Sequence, residues 1–306
     1  MKNFRATFGC VCLILSCSCA TALHKSAVVP ASELPADVVI NKGAGRGDLL
    51  TVTLRLESGE EFPCAVDTGS PGSLLPKSLE PKSGKRLGTG RFSTLDGGKE
   101  EENIYAAPKL YLGDIPLVTG SHIGTWDGSV GVLGMDCLRH YCVQLDFQAG
   151  KMRFLDSEHV NVAELGKAFP LTGSRRAYIH HCGLFEKKNS ELLIDTGYPF
   201  DGMVNSRLFQ WAIREQKTQP IPLLKDGVVQ GTVPELASLP RCVWDGETYT
   251  NLVIEAGRPN LIGLGFLARH LVTLDFPNQT MYLKQTSVGP LVNKNVPTNA
   301  SAGLAR

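Results

Sequence analysis

The chain has 306 residues, 42% of them hydrophobic and 20% charged, a composition that suits one or two globular domains with proper cores. A formal net charge of +1 argues against a nucleic acid or other polyanion as partner.

The N-terminus carries the first signal. Met1-Lys-Asn-Phe-Arg5 is basic, Phe8–Cys17 is apolar and Ala20-Thr-Ala22 offers a small-residue cleavage site, so residues 1–22 are expected to be a secretory signal peptide. Its apolar stretch is too short to span a bilayer comfortably. Ile14-Leu-Ser-Cys17 also fits a bacterial lipoprotein signal, in which Cys17 is lipidated and that lipid is the sole membrane attachment. Either route predicts an exported protein, in the periplasm or outside the cell. Beyond this region remain Cys64, Cys137, Cys142, Cys182 and Cys242, for which an oxidising compartment leads one to expect one or two disulfides of unassigned pairing. No metal is expected: His180-His181-Cys182 is the nearest ligand cluster, and adjacent strand residues face opposite ways.

Residues 23–46 read as a leader with one strand. Leu50, Val52, Leu54 and Leu56 alternate with Thr51, Thr53 and Arg55, the pattern of a half-buried strand, and Phe62 to Val66 returns as its hairpin partner. Arg86–Leu95 and Asn103–Ala107 predict an exposed, glycine-bearing hairpin. Lys109 to Val118 supplies two short strands about Gly113-Asp114, and Asp136–Tyr141 one or two helical turns. Cys142–Phe147 and Lys151–Leu155 form a hairpin that closes a first lobe over residues 40–157. A second lobe over 158–286 repeats the plan, with strands at Arg176–Phe185 and Glu191–Ile194, a helix from Met203 to Gln216 and a second hairpin at Gly227–Thr232. Residues 287–306 are rich in Ser, Gly, Pro, Asn and Ala and read as a disordered tail.

The repetition is explicit. Phe62-Pro-Cys-Ala-Val-Asp67-Thr68-Gly69-Ser70 and Leu192-Leu-Ile-Asp195-Thr196-Gly197-Tyr198 are apolar strands ending in Asp-Thr-Gly, with the two aspartates 128 positions apart. Val132 to Phe154 then aligns without a gap on Leu261 to Leu283 at an offset of 129, which places Gly134 opposite Gly263. Two blocks repeated at nearly constant spacing indicate two copies of one structural unit. Facing copies would bring Asp67 and Asp195 together, and two close carboxylates cannot both ionise cheaply. They share a proton, so one can activate a water while the other polarises an amide carbonyl.

These residues resemble the aspartic peptidases of the pepsin-like and retropepsin-like superfamily, as a single chain with two bacterial retropepsin-like units in tandem over about residues 45–285. Asp67-Thr68-Gly69-Ser70 matches the catalytic motif, while Val130 to Asp136 and Leu261-Ile262-Gly263 look like its downstream motifs. The resemblance implies an all-β, bilobal aspartic-peptidase-like fold: two β-barrel-like lobes with minor helices, related by a pseudo-twofold axis in one monomeric chain. It implies an endopeptidase without metal or organic cofactor, cutting an extended peptide or unfolded polypeptide held under β-hairpin flaps. Asp67 and Asp195 would be catalytic, supported by Thr68-Gly69 and Thr196-Gly197. Tyr198 stands where the family usually has Ser, Thr or Ala, and is expected to put a bulky ring beside the pair. The alternative reading is an inactive bilobal peptide- or ligand-binding protein of the cell envelope.

Other residues carry plainer expectations. Asp146 and Asp275 recur within Leu-Asp-Phe and read as hairpin-turn residues, Asp136 as a helix start, and His140 and His270 as surface or packing residues. Trp126 and Trp244, each followed by Asp-Gly, are candidates for cleft lining with core packing as the competing reading. Ser70 lacks the setting of a serine nucleophile.

Overall fold

The computed structural model describes residues 29–93, 99–180, 191–215, 218–220 and 235–292. The signal with Cys17, the second hairpin at 227–232, His181-Cys182 and the tail from 293 lie outside them. Strands dominate, and among the described residues they form two large sheets.

The first sheet is built on the alternation seen in the sequence. Leu50, Val52, Leu54 and Leu56 are all buried, and Thr51–Leu56 pairs antiparallel with Glu61–Val66. Gly59, at φ +98°, makes the turn between them in a conformation that other residues rarely adopt. Gly131–Leu133 lies parallel to Glu61–Val66 and antiparallel to Leu74–Pro76 on its other side. Leu74–Pro76 runs parallel to His122–Trp126, which pairs with Lys99–Ala106, the inner arm of the expected hairpin with Arg86–Ser93.

The second repeat takes the same steps. Leu192–Asp195 lies parallel to Leu261–Gly263, which is antiparallel to Gly202–Val204. Gly202–Val204 runs parallel to Glu247–Ala256, and that strand pairs with Leu236–Trp244. In both repeats the strand from the later block sits between the strand that ends at the aspartate and the one that follows it. The Asp-Thr-Gly loop must therefore arch over the end of that middle strand.

The two repeats meet in one sheet. Cys142–Asp146 pairs antiparallel with His270–Asp275, each flanked by its own hairpin partner, Lys151–Leu155 and Thr280–Gln285. At the centre Gln144 faces Thr273, and the Gln144 amide donates to the Thr273 hydroxyl at 3.1 Å. These two residues are matched positions of the repeat, 129 apart, so the register is reciprocal, as a twofold rotation would make it. The hairpin expected to close the first lobe is thus also the seam to the second repeat. Asp146 and Asp275 serve the turns of these hairpins, accepting from the amides of Ala149 at 2.8 Å and Asn278 at 3.2 Å.

Several expectations change in detail. The helix spans Ser206–Arg214 and not Met203–Gln216, because Met203 is committed to the Gly202–Val204 strand and the Asn205 side chain caps the helix by accepting from the Leu208 amide at 3.0 Å. The tail does not come loose at 287: the amides of Thr286 and Ser287 donate to the Arg269 carbonyl, and the Thr250 amide donates to the Val288 carbonyl. Trp244 does not line a cleft. It is 3% exposed, stacked on Phe169 with centroids 4.9 Å apart and met edge-on by Phe266, so its ring belongs to the core. Cys64, Cys137 and Cys142 are buried free thiols, so they take no part in the one or two disulfides expected among the five cysteines.

Candidate active site

Each Asp-Thr-Gly loop is fastened to the other by a reciprocal set of hydrogen bonds. The Thr68 amide donates to the Thr196 hydroxyl oxygen at 3.0 Å, and the Thr196 amide to the Thr68 hydroxyl oxygen at 3.1 Å. The Thr68 hydroxyl in turn donates to the Ile194 carbonyl and the Thr196 hydroxyl to the Val66 carbonyl, both at 2.6 Å. Both threonines are fully buried, so each of these groups would be orphaned without its counterpart. This lattice ties the residues that precede one aspartate to the residue that follows the other.

The glycines let the carboxyl groups close in. A Cβ on Gly69 would lie 2.4 Å from the Asp195 carboxyl carbon, and one on Gly197 would lie 2.5 Å from that of Asp67. Each glycine thus leaves room for the opposite repeat's aspartate, and the two side chains are close enough to share a hydrogen bond. Gly134 and Gly263 act one layer below. A Cβ at Gly134 would meet the Gly72 carbonyl oxygen at 2.4 Å, and one at Gly263 the Phe200 carbonyl oxygen at 2.3 Å. The arching loops rest directly on these two positions, and the Met135 and Leu264 amides hold them through the carbonyls of Ser70 and Tyr198 at 2.9 and 2.7 Å.

The two carboxyls are not electrically equivalent. Asp67 is half-buried, and its Oδ1 accepts from the amides of Gly69 at 2.8 Å and Ser70 at 3.0 Å. Asp195 is 3% exposed and, among the described backbone amides, accepts from that of Gly197 alone, at 2.9 Å. Burial raises both, and for Asp195 the neighbouring Asp67 charge adds to it, pushing Asp195 up to about 8. Asp67, which accepts from two backbone amides against one for Asp195, is the member better placed to carry the charge when the pair shares one proton.

Tyr198, expected beside the pair, has its ring held in a small apolar cluster. The ring is packed with Leu193, Met203 and Leu261, meets Phe200 edge-on, and its hydroxyl donates to Glu255. Ser70, at the matching position, turns its hydroxyl back to the Gly72 carbonyl at 2.7 Å. Trp126 is half-buried, donates from Nε1 to the Val130 carbonyl at 3.0 Å, and borders a cavity of about 260 Å³ with Thr89 and Glu102 of the hairpin strands. Among the described residues, no group of three or more His, Cys, Asp or Glu is placed to hold a metal ion.

Three features were not read from the sequence. Arg176 exerts its positive charge on both aspartates and lowers both, against the larger effect of burial. In the first repeat the Ser73 hydroxyl donates to Asp136 at 2.7 Å and accepts from the Gly134 amide at 3.1 Å. In the second repeat that corner is held by a buried ion pair, Arg269 to Asp201 at 2.9 Å. The position matched to Ser73, 128 residues on, is Asp201, and its serine-to-aspartate change was the available signal. No family model matches this chain, and no curated protein matches it either.

Proposed function

We propose that the chain is an aspartic-type endopeptidase of two-lobed, aspartic-peptidase-like fold, with Asp67 and Asp195 as its paired carboxylates and no metal or organic cofactor in the reaction. The observation that carries this reading is the reciprocal Thr68–Thr196 bonding, which, with Gly69 and Gly197, leaves the two carboxyls facing each other. A structural role for two turn aspartates would call for neither their juxtaposition nor glycine at both contact points.

In this mechanism Asp67, the charged member, takes a proton from a water as that water attacks the scissile carbonyl carbon. Asp195 gives its proton to the carbonyl oxygen, and a tetrahedral diol forms. Collapse of the diol breaks the C–N bond, a proton passes to the leaving nitrogen, and one shared proton is left on the pair. Both directions of proton transfer need the half-protonated pair, so cleavage is expected to fall as pH rises through about 8, where Asp195 ionises. The substrate is an extended peptide or unfolded polypeptide, with cleavage between apolar residues, and export places the activity outside the cytoplasm.

The test is digestion of a peptide library from about pH 3 to about pH 10 by the mature protein, Asp67→Asn and Asp195→Asn, with circular dichroism on each. We expect each substitution to lower kcat by about a thousandfold or more while the fold persists, since Asn keeps the shape and cannot exchange the proton. Equal cleavage by the folded variants would overturn the mechanism. Binding of peptides without cleavage by folded wild type would favour the binding-protein reading instead.

A further inference from the structure

A cavity of about 420 Å³ is bounded by Pro71 on one side and by Gly173, Ser174, Arg175, Arg176 and Tyr178 on the other. Pro71 directly follows the Asp67-Thr-Gly-Ser loop, and the Ile194 amide, one residue before Asp195, donates to the Ala177 carbonyl at 2.9 Å. The walls therefore come from both repeats, and both lead straight to the paired aspartates.

Arg176 is the unexplained member of this cavity. Its Nε is buried and has no hydrogen-bond partner among the described residues. A guanidinium cannot shed its charge, and leaving one of its donors dry and unpaired is costly. Its charge is felt by both aspartates, yet neither carboxyl comes within ion-pair distance of it. Arg175 is exposed at the same cavity, so the positive character extends to its rim. Gly173, at φ +91°, bends the chain so closely that a Cβ there would lie 2.4 Å from the Arg176 carbonyl oxygen, which fixes the turn presenting these arginines.

We propose that this cavity is an anion subsite: Arg176, with Arg175 at the rim, receives a carboxylate of the substrate beside the bond held by Asp67 and Asp195. The proposal rests on the endopeptidase reading and deepens it by naming a substrate class. The carboxylate has two sources, an Asp or Glu side chain or the α-carboxylate at a peptide's C-terminus. Both would supply the acceptor that the buried Nε lacks, and a charge-assisted bond to a carboxylate is stronger than one to its neutral isostere.

The experiment compares matched peptides that carry Glu or Gln near the scissile bond, each with a free or an amidated C-terminus, above pH 5 so that the carboxylates are ionised. Wild type is expected to favour the carboxylate over the amide in kcat/KM by about tenfold or more. Arg176→Gln should erase that ratio, Arg176→Lys should keep part of it, and Arg176→Glu should turn the preference toward Lys-bearing peptides. The ratio compares two substrates on one enzyme, so a change in the protonation of the aspartates cancels from it. Preference for Glu whatever the C-terminal group assigns the side chain as source, and preference for the free acid assigns the α-carboxylate. A ratio near one for wild type on both comparisons overturns the subsite, as does a ratio that Arg176→Gln leaves unchanged while the pH profile moves. If folded wild type cleaves no peptide, the same four peptides are titrated by fluorescence anisotropy. Arg176-dependent preference for the carboxylate in binding then keeps the subsite while the hydrolase reading falls, and equal binding of all four overturns the subsite as well.

Discussion

Asp67 and Asp195 leave their strands into loops that make the same reciprocal threonine bonds, yet the Ser70 amide reaches the Asp67 carboxylate while the Tyr198 amide reaches only the Asp195 backbone carbonyl, at 3.3 Å. The position after Asp-Thr-Gly is where the repeats diverge, from a serine folded onto its own loop to a tyrosine sunk among apolar neighbours. A similar divergence recurs below, where Ser73 and Asp136 hold one corner and Asp201 and Arg269 the other. The shared residues set where the two carboxyls sit, and the unshared ones set how many amides each carboxyl accepts and how each loop is held.

The corner contrast gives the largest expected effect. Arg269→Met leaves the Asp201 carboxylate buried without its cation, and should cost about 3–5 kcal/mol in urea unfolding. Asp136→Asn keeps an acceptor for Ser73 and should cost about 1 kcal/mol or less. Equal losses would mean that the two corners are held alike. Next comes pH. The unfolded Asp195 carboxyl titrates near about 4, whereas burial and then the Asp67 charge hold the folded one up to about 8. Between these values the folded state binds more protons, so this contribution to stability is complete at the acid end and is lost as pH rises. The loss can reach about 1.4 kcal/mol per pH unit. Unfolding free energy of wild type minus that of Asp195→Asn should therefore slope downward from pH 4 to pH 8, and a flat difference would mean that Asp195 holds no extra proton.

The sequence carried the local half of this structure. Alternation at 50–56 named a strand and its buried face, and the repeat named Asp67, Asp195, Gly134 and Gly263, because close backbone approach leaves a glycine that no other residue can replace. Partners distant in the chain were another matter. The pairing of Cys142–Asp146 with His270–Asp275 leaves no trace in a period of two, which reports burial and not the neighbour. Trp244 and Trp126 carry the same following Asp-Gly, and only the packing on Phe169 separates a core ring from one at a cavity. Arg176 sits in Gly173-Ser-Arg-Arg176, which has the composition of any exposed turn. Arg269 is matched to His140, so the repeat itself gave no reason to expect an ion pair there.

The threonine lattice is where the two repeats should prove alike. Thr68→Val and Thr196→Val each keep the side chain's shape and remove a hydroxyl that both donates to a carbonyl and accepts from an amide. Each leaves two buried backbone groups unpaired, and each should cost about 2–3 kcal/mol. Serine at either position should recover most of that. Losses that differ widely between the two would show that the reciprocal bonds carry unequal weight, and the symmetry seen in their lengths would then say little about their energies.

The smallest effect belongs to the Tyr198 hydroxyl, and it bears on what the bulky residue does beside the pair. The ring is held by Leu193, Met203 and Leu261, and its hydroxyl donates to Glu255, a half-buried carboxylate that water can reach when that partner is lost. Tyr198→Phe should keep the ring in place and cost only about 1 kcal/mol. Burial first, then Glu255, pushes the phenol well above its ordinary range, so it stays neutral wherever the protein is active and contributes no titration of its own. Its removal should leave kcat/KM on a neutral peptide within about twofold and leave the limbs of the pH profile where they were. A phenol that instead donated into the aspartate pair would make the Phe variant shift the alkaline limb, because one state of Asp195 would have lost a hydrogen bond. The stability loss alone does not separate these cases, since either lost bond costs about the same. The pH profile does, and a displaced alkaline limb with unchanged KM would place the second repeat's tyrosine among the groups that hold the shared proton.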